Sequence, residues 1–180
     1  MNNPIFRRHA VLVILQNAYN KGTLSSGSRY SFRHWFREFE QSRSGVRLAE
    51  MFGRETLRRL HYTNTTSIIG VGPDSQLKVD IAHLRRSLLR VQPRLVVACG
   101  KQAEQACLNL AVQDLFCIPH PAHRLLTNKL LEEAGNAVKW RLIFLETPTI
   151  TGLPSLDWLR EPCVRVAFRQ RRNKIVNEKI

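Results

Sequence analysis

The chain has 180 residues, of which 43% are hydrophobic and 23% charged, the balance of a folded domain and not of a disordered segment. Twenty-eight Lys and Arg against 14 Asp and Glu leave a formal net charge of +14, a surplus that points to a polyanionic partner, because cationic side chains displace counterions condensed on a phosphate backbone. No apolar run approaches the roughly 20 residues that a membrane helix needs, which argues against a membrane partner.

Val11 to Leu15 is an unbroken run of Val, Leu and Ile, the mark of a strand covered on both faces. The arginine pair ahead of it gives a faint likeness to a secretory leader. The run breaks at Gln16-Asn17 without a small-residue cleavage site, so a buried first strand is the better reading. Ser31 is placed to cap a helix whose Phe32, Trp35, Phe36 and Phe39 follow the i, i+3, i+4, i+7 rule. Val46 to Leu60 reads as two short helical pieces around Gly53. Ile68 to Val71 is a second candidate strand, closed by Gly72-Pro73.

Leu77, Ile81, Leu84, Leu88 and Val91 then lie on one helical stripe that Pro93 stops, with Lys78, Arg85, Arg86 and Arg90 on the outer face. Leu95 to Ala98 is the third strand, Gly100 a turn, and Gln102 to Leu110 a helix. Leu115 to Ile118 is the fourth strand, followed by a helix from Thr127 to Val138 and a candidate fifth strand, Leu142 to Leu145. This alternation implies a parallel sheet with helices on both faces. Residues 1–146 read as one domain, and residues 147–180 as an irregular, basic C-terminal extension packing on it. The four cysteines, Cys99, Cys107, Cys117 and Cys163, form no CxxC pair. That suits a reduced cytoplasmic protein without a zinc or iron–sulfur site, and the expectation is a monomer that needs no cofactor.

In an open α/β sheet, chemistry gathers beyond the carboxyl ends of the strands. The segments there are Gln16 to Tyr19, Asn64 to Ser67, Gly100 to Gln102, and His120 to Arg124. They hold amides, hydroxyls, histidines and cations but no carboxylate. Paired-carboxylate catalysis and metal-assisted hydrolysis are therefore poor fits.

These segments resemble the motifs of the uracil-DNA glycosylase superfamily, nearest its mismatch-specific uracil/thymine branch. Gln16-Asn17-Ala18-Tyr19 stands where the family has its Gln-Asp-Pro-Tyr or Ile-Asn-Pro-Gly turn. Tyr30 to Phe36 is similar to its aromatic segment, and Thr63-Asn64 to its Thr-Asn dipeptide. QPRLVVACGKQAEQA resembles the strand and Gly-Lys-Gln-Ala turn of the branch, and PHPAHR its His-Pro-Ser or Asn-Pro-Ser motif. The matches run in order over about residues 10 to 145 and stop before the C-terminal segment. The resemblance implies a three-layer α/β/α fold around a central, mostly parallel four-stranded sheet.

It also implies a DNA glycosylase that rotates a pyrimidine nucleotide into a pocket and hydrolyses its N-glycosidic bond, leaving an abasic site. His120 would donate a hydrogen bond to the departing base and Asn17 would orient the attacking water. An amide is a weaker base than the carboxylate usual there, so a slower enzyme is expected. Gln16, Tyr19, Tyr30 and Asn64 would bind the base, Tyr30 by stacking and Asn64 by reading its edge. Gly100, Lys101, Gln102, Arg124 and Leu125 would contact DNA, with Arg124 and Leu125 where the family inserts a wedge. His123 has no counterpart in the family and stands where it could contact a phosphate or enlarge the recognition set. Two residues depart from the pattern. Tyr19 matches a tyrosine that blocks 5-substituted bases in uracil-specific members, while Ala18 in place of proline loosens the turn that aims it. A glycosylase for hypermodified pyrimidines of invading phage DNA, and a DNA-binding module without catalysis, therefore stay open as alternatives.

Overall fold

A computed structural model describes residues 10–16, 18–19, 32–70, 78–124 and 126–146. Four strands, β1 (Val11–Leu15), β3 (His61–Asn64), β5 (Leu95–Cys99) and β6 (Leu115–Ile118), form one sheet in the order β3-β1-β5-β6. Every pairing in it is parallel. A second, two-stranded parallel pair, β2 (Ala18–Tyr19) with β4 (Ile69–Gly70), continues beyond the ends of β1 and β3.

Residues alternate between two cores because successive side chains of a strand point to opposite faces. Val11, Val13, Leu15, Val97, Cys99, Phe116 and Ile118 join one cluster with buried side chains of α1 (Phe32–Gln41), α2 (Arg43–Phe52), α3 (Arg54–Leu57) and α6 (Asn128–Glu146). Leu12, Ile14, Val96, Ala98, Leu115 and Cys117 face α4 (Ile81–Val91) and α5 (Lys101–Asn109). The result is the three-layer α/β/α arrangement expected from the sequence. Among the described residues no helix is long and apolar enough to cross a membrane.

Two expected strands fall elsewhere. The second strand of the main sheet is His61–Asn64, and of the described residues 68–70 in the anticipated 68–71 segment Ile69–Gly70 is extended, in the small pair. HYTN carries little apolar signal because the residue it buries against α4 is the polar Thr63. There Thr63 Oγ1 lies 2.8 Å from His83 Nε2 and 3.3 Å from Ser87 Oγ. Leu142 to Leu145 is not a strand: it is the last part of α6, which runs on to Glu146 instead of ending at Val138. Gly135 makes room for this helix, since a Cβ there would stand 2.0 Å from the Met51 carbonyl oxygen of α2.

The other helices follow their sequence signals. Asp80 caps α4 by accepting from the His83 N–H at 2.8 Å, and Gln92 ends it in a left-handed conformation just before Pro93. The helix around Phe32 to Phe39 is present, whereas Ser31, residues 71–77 and the whole 147–180 extension lie outside the described residues.

Candidate active site

The strand registers align four chain exits. Leu15 pairs with Asn64, Ile14 with Ala98, and Cys99 with Ile118. One residue further on, Thr65, Gln16, Gly100 and Pro119 form a row along the carboxyl edge of the sheet. Neighbouring strands sit about 4.8 Å apart. The exit of β1 and the exit of β6 are thus separated by two strand spacings, about 10 Å, with only the Gly100 turn between them.

Thr65 fixes the exit of β1. Its N–H donates to the Leu15 carbonyl at 2.9 Å and to the Gln16 carbonyl at 3.1 Å, and its hydroxyl also donates to the Gln16 carbonyl. The backbone entering Asn17 is therefore held by the exit of β3. Thr65 is in turn tied to α4, because the Asp80 N–H donates to the Thr65 carbonyl at 2.8 Å. Ser67 Oγ and the His83 N–H both donate to the Asp80 carboxylate, and the backbone bond is the larger cause of its lowered pKa.

Gly100 does two things. With φ at +91° it turns the chain from β5 into α5, a conformation that costs L side chains energy. It also seats His120, since a Cβ at this position would stand 3.2 Å from His120 Cβ. Its N–H donates to the Ile118 carbonyl at 2.8 Å and so is already committed. Lys101, the first residue of α5, is exposed beside this turn.

His120 is half-buried, directly after Pro119 and before the buried Pro121. The Ala122 N–H donates to its Nδ1 at 3.3 Å. An accepting Nδ1 carries no proton, so the proton of the neutral ring sits on Nε2, making that atom a donor. Burial, and secondarily the nearby His123, lowers the pKa of His120 below the usual histidine value. The ring is held neutral, a donor without positive charge.

His123 and Arg124 are exposed at the tip of the following loop. Asn64 is the last residue of β3 and only 1% exposed. Ala18 and Tyr19 are placed by backbone alone, pairing with Ile69 and Gly70. Asn17, Tyr30 and Leu125 lie outside the described residues. Of the expected set, the fold thus brings Gln16, Asn64, Gly100, Lys101, Gln102 and His120 to one edge. Among the described residues no group of three His, Cys, Asp or Glu is placed to hold a metal ion.

The sequence gives no warning of three supporting residues. Thr65 passes for a turn residue, Asp80 for an ordinary polar residue ahead of a helix, and Arg47 for one more surface cation. Arg47 Nη2 donates to the Leu126 carbonyl and Nη1 to Asn128 Oδ1 at 3.2 Å. Contacts 79 and 81 residues away leave no local pattern to read.

No curated protein and no solved structure matches the chain. A family model does match, that of the Uracil DNA glycosylase superfamily, over residues 17–141. The match spans well over half the chain and, beginning just after Gln16, takes in the exits of β3, β5 and β6. This basic α/β/α chain belongs to the uracil DNA glycosylase superfamily, whose members are DNA glycosylases.

Proposed function

We propose that the protein is a monofunctional DNA glycosylase, which turns a uracil or modified pyrimidine out of DNA and hydrolyses its N-glycosidic bond to leave an abasic site. The observation that carries this reading is the position of a neutral, Nε2-protonated His120 two strands along from the Gln16–Asn17 exit. The gap between them, floored by Gly100, is where a flipped base would stand. The departing pyrimidine gathers negative charge on its ring oxygen as the bond to the sugar lengthens. His120 Nε2–H donates to that oxygen, and such preorganised donors contribute about 3 kcal/mol each to transition-state stability.

Asn17 orients water toward the sugar carbon. The sugar is oxocarbenium-like at that point, so the nucleophile needs positioning more than deprotonation. Lys101 is exposed, a solvated cation suited to a phosphate and not a desolvated amine of the kind that forms Schiff bases. The Gly100-Lys101-Gln102-Ala103 turn favours the mismatch-specific branch of the superfamily.

The test is base release from duplex oligonucleotides bearing uracil, thymine mismatches, or 5-hydroxymethyl and glucosylated cytosines. Freed bases are identified by mass spectrometry, and abasic sites by scission in hot alkali. Release of at least one pyrimidine, with strands intact until alkali is added, is the expected result. No release from any duplex overturns the reading in favour of DNA binding without catalysis, and scission before alkali overturns the monofunctional assignment.

A further inference from the structure

Between β6 and α6 the chain makes two successive turns whose anchorage differs. The first, His120 to Ala122, is held from the sheet side. His120 rests on Gly100, Pro121 is buried, and the Ala122 N–H closes onto the imidazole. The His123 N–H donates to the His120 carbonyl at 2.8 Å, and the Leu126 N–H to the His123 carbonyl at 3.2 Å. The second turn therefore projects His123 and Arg124 as an exposed tip.

That second turn is held from the opposite side. Leu126 packs into the core beneath α2, and the guanidinium of Arg47 on α2 reaches across to it. One arm of the fork takes the Leu126 carbonyl, the last turn of the loop, and the other takes Asn128 Oδ1, the first residue of α6. Glu50 Oε2 stands 3.9 Å from Nη1 and steadies the head group. Arg47 Nε is buried without a hydrogen-bond partner, an unfavourable placement that follows from holding both arms of a planar fork on fixed acceptors.

The geometry points to Arg47 as a positioning residue. It sets the His123–Arg124 tip rigidly over the strand edge, so that the tip enters a duplex as a preformed wedge when a base leaves the stack. Arg47 touches neither base nor sugar and acts through the loop alone. The inference rests on the glycosylase reading above, with its wedge in the loop after β6, and adds to it the residue that holds that wedge in position. A wedge has work to do only where a base is stacked and paired. The residue that stiffens it should therefore matter for duplex DNA and not for single strands.

The test uses the full chain and its Arg47→Met and Arg47→Lys variants, with thermal melting to confirm folding. Single-turnover release is measured for one target base in a duplex and in the same strand unpaired. Both variants are expected to lose about tenfold or more on the duplex, the scale of a loop displaced by a fraction of an ångström to an ångström. On the single strand they stay within about threefold of wild type, because His120 is anchored independently. In the same reactions, fluorescence of 2-aminopurine beside the target base should rise more slowly for the variants on the duplex. Lysine does not rescue, since a point charge cannot bridge two acceptors.

Equal losses on both substrates, no loss on the duplex, or full rescue by lysine overturns the inference while leaving the glycosylase reading intact. A wild-type protein that releases no base from either substrate overturns that reading and this inference with it. If Arg47→Met does not fold, Asn128→Ala removes one arm of the fork at an exposed position, and the same selective loss on duplex, smaller in size, is the expected result.

Discussion

At the scale of single residues, the decisive feature is the protonation state of His120. Its Nδ1 accepts the Ala122 N–H, and burial followed by the neighbouring His123 lowers its pKa from the ordinary 6.5. Protonating the ring means placing a second donor against the Ala122 N–H, so acid acts on the loop as well as on charge. The neutral donor persists at pH values where a solvent-exposed histidine is already half charged. Base release should therefore hold as pH falls through 6.5, and its acid limb should lie below that value. His123→Ala removes the like charge and should move the limb upward. Single-turnover rates across pH 4.5 to 8 check this, and an acid limb at or above the ordinary histidine value contradicts it.

The buried cysteines are different in kind. Burial raises the pKa of Cys99 and pushes that of Cys107 up to about 12, which keeps both thiols protonated and inert. They are core residues that happen to carry sulfur.

At the scale of elements, α6 fits closely against α2 in the helical layer that carries the loop after β6. A Cβ at Gly135 would meet the Met51 carbonyl at 2.0 Å, backbone that cannot rotate away. Gly135→Ala should destabilise the protein by about 1–3 kcal/mol, the usual cost of overpacking. A melting-temperature drop of several degrees is the check, and an unchanged melting temperature contradicts the packing.

How far these elements were legible depends on what held them. β1, β5 and β6 are five- or four-residue apolar runs buried on both faces, so composition alone marks them. β3 escaped because Thr63 and Asn64 are buried polar residues, and Thr63 is satisfied by His83 and Ser87 on α4. Such a strand has neither an apolar run nor an alternating pattern. Leu142 to Leu145 misled for the opposite reason. A short apolar run is ambiguous between strand and buried helix, and the contact with α2 decides it.

The edge positions of the candidate site were readable where they sit directly after an apolar strand, as at Gln16, Gly100 and His120. It was not readable where partners are far apart in sequence, as with Thr65 on Gln16 and Arg47 on Leu126.

At the scale of the whole molecule, charge is divided between the two helical layers. From residue 78 to 110, Lys78, Arg85, Arg86, Arg90, Arg94 and Lys101 are all exposed, while the two carboxylates are the capping Asp80 and the buried Glu104. The opposite layer mixes signs, with Arg58 paired to Glu40. A DNA substrate follows from membership of the superfamily, and a net charge of +14 makes its binding strongly dependent on salt. Log affinity should fall against log salt with a slope of about −0.9 for each phosphate neutralised. Replacing Arg85, Arg86 and Arg90 with Gln lowers that slope if the α4 face lies against the backbone. Titration by fluorescence anisotropy at several salt concentrations measures it, and a wild-type affinity indifferent to salt contradicts a phosphate-led interface.

All of these scales meet in one proposed arrangement, in which Asn17, following β1, and His120, following β6, act on the same bound nucleotide. The most direct measurement is a double-mutant cycle of single-turnover base release with Asn17→Ala, His120→Ala and the two combined. Each single change should slow release by about 10²–10³-fold, and the combined change should cost less than the product, because groups that serve one transition state are not independent. Release that proceeds at the wild-type rate in either single variant contradicts the account.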